Sequence, residues 1–277
     1  MMGKKLKAGT FIGGIIYTLF SVLYICPVIL TIMNAFKKSS EFSKPFYFPP
    51  EQWKLDNFFE AFNTAHMNIA FYNSFLVTVI SVFSIVLIAS MASYAIARNN
   101  NYLEQLLYFL FISGLVIPFH VIMIPSMKIV GMLKLNGRIG LIIIYVSLGM
   151  SLAVFLFTGF IRSAVPMELE EAAFIDGASQ LKVFFNVVVP LIAPVIVTVV
   201  MLDTIWVWND FLLPSILLTR QNMLTLPLSQ FRFVSQYVQK WNLQFAAFTM
   251  GLIPLFILFF TCQKYIVKGV ASGSLKG

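Results

Sequence analysis

Residues 166–190 read PMELEEAAFIDGASQLKVFFNVVVP, the most polar stretch in the second half of a chain that is otherwise almost all lipid-soluble. Four acids (Glu168, Glu170, Glu171, Asp176) and one base (Lys182) stand between two apolar runs, each long enough to cross a bilayer. Pro166 suits the first turn of a helix, where the missing N–H is of no consequence. Met167 to Phe174 are mostly good helix formers, and three glutamates fall where the positive helix N-terminus favours carboxylates. Gly177 is placed to take the left-handed conformation that closes a helix, and Ser179 to cap the next one. The stretch predicts a short helix, a tight turn and a second helix that re-enters the membrane. Such an element is presented to the aqueous side.

Composition agrees with a membrane setting. Of the 277 residues, 59% are hydrophobic and only 11% charged, against about 25% charged in soluble domains. The net charge of +8 does not signal nucleic acid, because the bases sit at the ends of apolar runs, where Lys and Arg anchor helices. Cys26 and Cys262 lie in apolar runs at opposite ends of the chain and imply neither a disulfide framework nor a metal site. His66 and His120 stand apart from each other and from any ligand-spaced Cys or carboxylate, and read as structural. No GxxxxGK[ST] phosphate loop occurs, so the chain is not expected to hydrolyse ATP or to bind a cofactor of its own.

Taken in order, the chain predicts six spans. Lys4, Lys5 and Lys7 precede an apolar run from Phe11 to Met33, 23 residues, longer than a signal-peptide core and without a clear cleavage site. Residues 37–66 are polar, aromatic and proline-broken. Ile69 to Ala97 is uncharged for 29 residues. A third span runs from Gln105 to Met127, interrupted by Pro118 and Pro125, which a membrane helix tolerates when neighbours satisfy the freed carbonyls, and a fourth from Ile139 to Ile161. The fifth is expected from Val183 to Leu213 and the sixth from Trp241 to Cys262. No internal repeat of solenoid length is visible. With the N-terminus inside, nine of the nineteen Lys and Arg fall on inner segments and ten on outer ones, so basic-residue counting does not set the orientation.

The central stretch resembles the EAA loop of bacterial ABC importer permeases: Glu171-Ala172-Ala173, three residues, Gly177, nine residues, Val187-x-Val189-Pro190. The two valines replace Ile and Leu of that pattern. The flanking Pro166-x-Glu168-Leu169 and Asp176-Gly177-Ala178 are similar to the sugar-importer branch, as are Phe48-Pro49-Pro50 with Trp53 and the Tyr94-Ala95-Ile96-Ala97-Arg98 close of the second span. The tail from Val267 to Gly277 resembles the short cytoplasmic end of one of the two permeases in maltose-type systems.

The resemblance implies an all-α membrane protein of the type I ABC importer permease fold, with six transmembrane helices and a cytoplasmic coupling helix between spans 4 and 5. It divides the chain into residues 1–68 (inner end, first span, outer loop), a permease core at 69–265, and a cytoplasmic tail at 266–277. It places the chain in the bacterial inner or plasma membrane with both termini cytoplasmic. Glu170, Glu171, Ala172, Ala173, Asp176, Gly177 and Ala178 would contact an ATPase. The implied partners are a second permease in a heterodimer, two ATPase subunits that carry ATP and Mg, an extracytoplasmic sugar-binding protein, and the sugar itself.

In the fifth span, Asp203, Trp206 and Asp210 share one helical face at i, i+3 and i+7, with Trp208 and Asn209 nearer another. Asp203, Trp206, Asn209 and Asp210 are candidate pathway residues, since an acid within a span costs roughly 3 kcal/mol at mid-helix and faces protein or water. Trp206 to Phe211 resembles the matching segment of the partner permease in maltose-type importers, an aromatic-and-amide run that the resemblance implies would hold sugar. The other reading puts Trp206 and Trp208 in an interfacial aromatic belt and pairs Asp203 with a partner helix. Two function classes compete with a sugar permease. An ion-coupled secondary transporter normally has several midplane ionisable groups and internal repeats, whereas here Asp203 stands alone. A membrane enzyme needs a nucleophile–base set or paired carboxylates, which the spans lack. An ABC permease for a non-sugar solute also stands as an alternative.

Overall fold

A bilayer offers no water to a backbone amide, so a crossing segment must satisfy its own hydrogen bonds. The computed structural model describes residues 8–99, 101–233 and 240–274, and among these no strand occurs. In chain order the main helices are α1 (Ala8–Ala35), α2 (Asp56–Thr64), α3 (Met67–Arg98), α4 (Tyr102–Val116), α5 (Phe119–Met132) and α6 (Arg138–Ala164). There follow α7 (Met167–Ile175), α8 (Gln180–Leu191), α9 (Ala193–Asn209), α10 (Leu212–Leu217) and α11 (Trp241–Ser274). Four of them, α1, α3, α6 and α11, are long and apolar enough to cross a membrane singly. The pairs α4–α5 and α8–α9 pass the same test together but are sharply bent, and the number is six when each bent pair counts as one span. The Lys4–Lys5–Lys7 cluster and the last residues of the tail, 275–277, lie outside the described residues.

The third and fifth spans depart from expectation, and proline is the reason. Sequence reading interrupted the third span at both Pro118 and Pro125; the chain turns by 112° at the first. Ile117 (ψ 118°) and Pro118 (ψ 131°) are both extended. Proline lacks an N–H and its ring pushes the preceding residue out of the helical region, so the helix ends before it. Pro125, by contrast, lies inside α5. The fifth span is bent by 77° at Ile192, between Pro190 and Pro194, after a π-helical turn at Phe184–Val188. It also ends earlier than expected: Asp210 is extended, and Leu212 starts α10.

The chain forms two compact units, one from the residues up to Met67 with Gln230–Ile253, the other from Asn68–Ser229 with the chain from Pro254 on. The smaller unit is organised by a buried amide. Asn57 donates to the carbonyls of Ala35 and Lys37 at 2.8 Å each, taking up one of the free carbonyls at the end of α1, and accepts from Asn242 at 2.9 Å. Desolvation opposes the charged form of Glu41, yet the backbone N–H groups of Glu51 and Lys38, with Lys37 and Lys38 nearby, outweigh it and hold its pKa below the ordinary glutamate value.

The larger unit packs α4 and α9 along α6, with α3 closing the core. Lipid tails are as apolar as leucine, so close helix contact here relies on small residues and interhelical hydrogen bonds. Ala89, Ser93 and Ala153 are fully buried, and Ser93 donates to the Val154 carbonyl at 3.3 Å. Glycine matters at two places: a Cβ on Gly149 would meet Ile85 at 2.4 Å, and one on Gly140 would meet the Leu135 carbonyl oxygen at 2.0 Å. We expect Gly140→Ala to lower the unfolding temperature in detergent, because the collision is with backbone and overpacking costs about 1–3 kcal/mol. Gly159→Ala, where a Cβ meets nothing within 4 Å, is the control and should be neutral or slightly stabilising. Equal unfolding temperatures for the two variants would refute this packing.

Candidate functional site

The loop between α6 and α8 forms the predicted helix, turn and helix. Pro166 is the extended residue that opens α7, with Glu168 and Glu170 in the first turn. Gly177 is left-handed (φ 78°). Its N–H bonds to the Phe174 carbonyl and that of Ala178 to the Ala173 carbonyl, both at 3.0 Å. These are the paired bonds of a Schellman ending, which consume two of the helix's free carbonyls.

The seven candidate coupling residues divide into two sets. Glu171 and Ala172 are exposed and share an outer face with Glu168 and Ile175, at i, i+3, i+4 and i+7. Ile175 is 86% exposed. Asp176 and Gly177 are exposed at the turn, while Ala173 and Ala178 are half-buried. Glu170 points inward instead. Its Oε1 accepts from Arg98 Nε at 2.8 Å and Nη2 at 2.5 Å, its Oε2 accepts from the Tyr94 hydroxyl at 2.9 Å, and Arg98 also donates to the Val165 carbonyl at 2.8 Å. The carboxylate is 5% exposed, and removing one partner of such a buried pair costs roughly 3–5 kcal/mol. Neither Tyr94 nor Arg98 was a candidate from sequence, where the close of span 2 carried only a family resemblance.

A second site is a cavity of ≈ 490 Å³ in the larger unit, within the range of roughly 300–1,000 Å³ found for ligand pockets. It opens where the α4–α5 span breaks, against the later turns of α9. Leu115 and Ile117 come from the end of α4, His120 from the start of α5, Leu148 and Leu152 from α6, and Asp203 and Trp206 from α9, with Asp210 just beyond. The predicted face Asp203–Trp206–Asp210 therefore lines one cavity. Asn209 does not; its amide turns back to the Ile205 carbonyl at 2.8 Å. Trp208 is buried on another side, 6.3 Å from the Phe71 ring. His120, which sequence isolation assigned to a structural role, stands exposed on the cavity wall.

Asp210 is held at both oxygens. Oδ2 accepts from Tyr145 at 2.7 Å and Oδ1 from the Leu212 N–H at 3.0 Å, which also starts α10. Tyr145, fully buried, also meets Trp206 edge to face at 5.4 Å between ring centres. Asp203 differs. It is 4% exposed, and its Oδ2 has no hydrogen-bond partner among the described residues. No group of three metal-ligating side chains occurs among the described residues.

These features meet in a recognisable family: residues 84–272 match the model described as binding-protein-dependent transport system inner membrane component. The chain belongs to this family. Among its relatives in the family is AmyC of Thermoanaerobacterium thermosulfurigenes, a probable starch degradation products transport system permease protein, 35% identical with 96% of each chain covered. MsmG of Streptococcus mutans, a multiple sugar-binding transport system permease protein, is 34% identical over 99% of this chain and 100% of its own. The melibiose/raffinose/stachyose import permease MelC of Bacillus subtilis is 33% identical, covering 95% and 96%. A chain of a bacterial ABC transporter for the acidic polysaccharide alginate has the same fold, with a TM-score of 0.80 at 18% identity, covering 96% of this chain and 99% of that one. The chain is thus an all-α membrane component of a transport system of this family.

Burying a polar atom without a partner costs about 1–3 kcal/mol, so Asp203 should be retained at the expense of stability. We expect Asp203→Leu to raise the unfolding temperature of the purified protein by a few degrees in scanning fluorimetry. A fall in that temperature would mean that both Asp203 oxygens are engaged.

Proposed function

We propose that this chain is one permease subunit of an ATP-driven importer for a sugar or oligosaccharide delivered by an extracytoplasmic binding protein. The observation that carries the proposal is the outer face of α7. It offers two acids, a small residue and an exposed isoleucine (Glu168, Glu171, Ala172, Ile175) on a helix joined directly to two spans. A helix with that face suits a groove on a basic-rimmed partner, which in this reading is an ATPase subunit. ATP and Mg act there, and this chain contributes motion and a pathway. A second permease completes the heterodimer, and both termini lie in the cytoplasm with α7.

The names of the related permeases support a sugar or oligosaccharide as cargo. So does the cavity, where the Trp206 ring, the Asp203 carboxylate and His120 offer stacking and hydrogen bonds to hydroxyls. Substrate and nucleotide would each shift an equilibrium between two arrangements of the spans by binding one more tightly than the other.

The decisive experiment measures uptake of labelled maltotriose and raffinose, with recovery of the ATPase from solubilised membranes. Glu171→Lys reverses a charge on the docking face, and Gly177→Leu forces a bulky residue into a conformation costing roughly 1–2 kcal/mol for L residues. Both should abolish uptake and reduce ATPase recovery while the protein still inserts. Asp203→Ala and Trp206→Ala should lower uptake or alter the preference between the two sugars, with ATPase recovery unchanged. Normal uptake in all four would refute the proposal. Orientation is checked separately in a background lacking Cys26 and Cys262. Single cysteines at Ser40 and Ser163 should label from opposite sides of the membrane, Ser163 from the cytoplasm, and labelling of both from outside would overturn the topology.

A further inference from the structure

Glu170 is turned away from the docking face, so its role must lie on the inner side of α7. We propose that α3 is a strut that carries displacement of α7 to the segment at 222–226, clamped by Arg98, Tyr94 and Glu170 at one end and by Asn73 and Ser74 at the other. The inference rests on the reading of α7 as the helix an ATPase moves.

At the first end, α7 has covalent neighbours only in α6 and α8, whereas Arg98 lies 72 residues away in sequence. One guanidinium nevertheless holds the Glu170 carboxylate through two N–H groups and the Val165 carbonyl at the end of α6 through Nη2. Tyr94, one turn earlier on α3, takes the second carboxylate oxygen, and its ring rests 5.5 Å from that of Phe184 on α8. The planar fork fixes direction as well as distance, which an ammonium would not. A buried ion pair contributes little net stability compared with apolar packing. What it supplies here is a defined geometry between α3 and the loop helix.

The other end is gripped as specifically. Asn73, fully buried, donates to the carbonyls of Asn222 and Leu224 at 3.0 and 2.9 Å. Ser74 accepts from the Leu226 N–H at 2.8 Å. Both grips lie on one 32-residue helix, and the stretch from Asn73 to Arg98 rises about 38 Å at 1.5 Å per residue. Of the spanning helices, α3 alone contains neither glycine nor proline. Sharp kinks arise at proline, glycine and π-turns, so α3 is the member of the unit least able to absorb a push by bending. The α4–α5 and α8–α9 spans are bent at prolines and have the opposite character.

The test uses the complete transporter, with its ATPases, second permease and binding protein, in lipid nanodiscs and in a background without Cys26 and Cys262. An environment-sensitive fluorophore on a cysteine at Gln221 reports the far end, and one at Ser163 reports the end of α6. A non-hydrolysable ATP analogue should change both signals. In Glu170→Gln the Gln221 change should fall by about fivefold or more, the scale of an ordinary coupling free energy, and Arg98→Glu with Glu170→Arg should restore it. Asn73→Ala should remove the Gln221 change and leave the Ser163 change in place. A full Gln221 response in Asn73→Ala overturns the strut, as does one in Glu170→Gln where Glu171→Lys abolishes it. If Glu171→Lys leaves both signals and ATPase recovery intact, the docking reading itself has failed. A Glu170→Gln protein that loses its ATPase and does not regain it in the swap shows a merely structural pair, and also overturns the proposal.

Discussion

Every backbone amide in the spans must find its partner inside the protein, and the rest of this structure follows from that requirement. Continuous helices meet it within one segment, as α3 and α6 do. A span can break only where its freed groups are covered by protein or line a cavity. Both breaks here are proline-driven, at Pro118 and around Ile192. The cavity holding Asp203 and Trp206 is lined by residues flanking the first break and by α9, which follows the second. The same chemistry that interrupts the helices also creates the one kind of place in a membrane where polar side chains are tolerable.

Polar groups in this protein accordingly fall into two kinds. Some are fully used: Asp210 between Tyr145 and the Leu212 N–H, Glu170 between Arg98 and Tyr94, Asn57 between three partners. These hold elements in register, and their value is geometric more than energetic. Asp203 is of the other kind, with a buried oxygen that no described residue satisfies. A residue kept at such a cost belongs with binding or motion more than with packing.

The contrast between stiff and broken spans gives the larger unit a division of labour. Prolines and a π-turn accompany the change of direction between α8 and α9 at Ile192. Small residues bring α3 and α6 close, and α3 itself is uninterrupted. On the proposed reading, a displacement of α7 would meet a bent span on one side and an uninterrupted helix on the other.

What the sequence determined by itself was whatever depends on local chemistry. The apolar runs and their approximate ends follow from composition, and the α7 turn follows from Pro166 and Gly177; Ser179 stands at the start of α8 but makes no side-chain cap bond. The common face of Asp203, Trp206 and Asp210 follows from helical spacing, and all three line one cavity. Only the tertiary structure decided that Pro118 ends a helix while Pro125 does not, since both lack an N–H and the surroundings settle which break is accommodated. It alone turned Glu170 inward and Glu171 outward, because Arg98 lies 72 residues away in sequence and reaches Glu170 only when α3 and α6 are packed. Likewise it brought His120 and Tyr145 to the aspartates of α9, a meeting of three helices that no spacing along the chain encodes. Local pattern records which groups share a face; long-range packing chooses what that face meets.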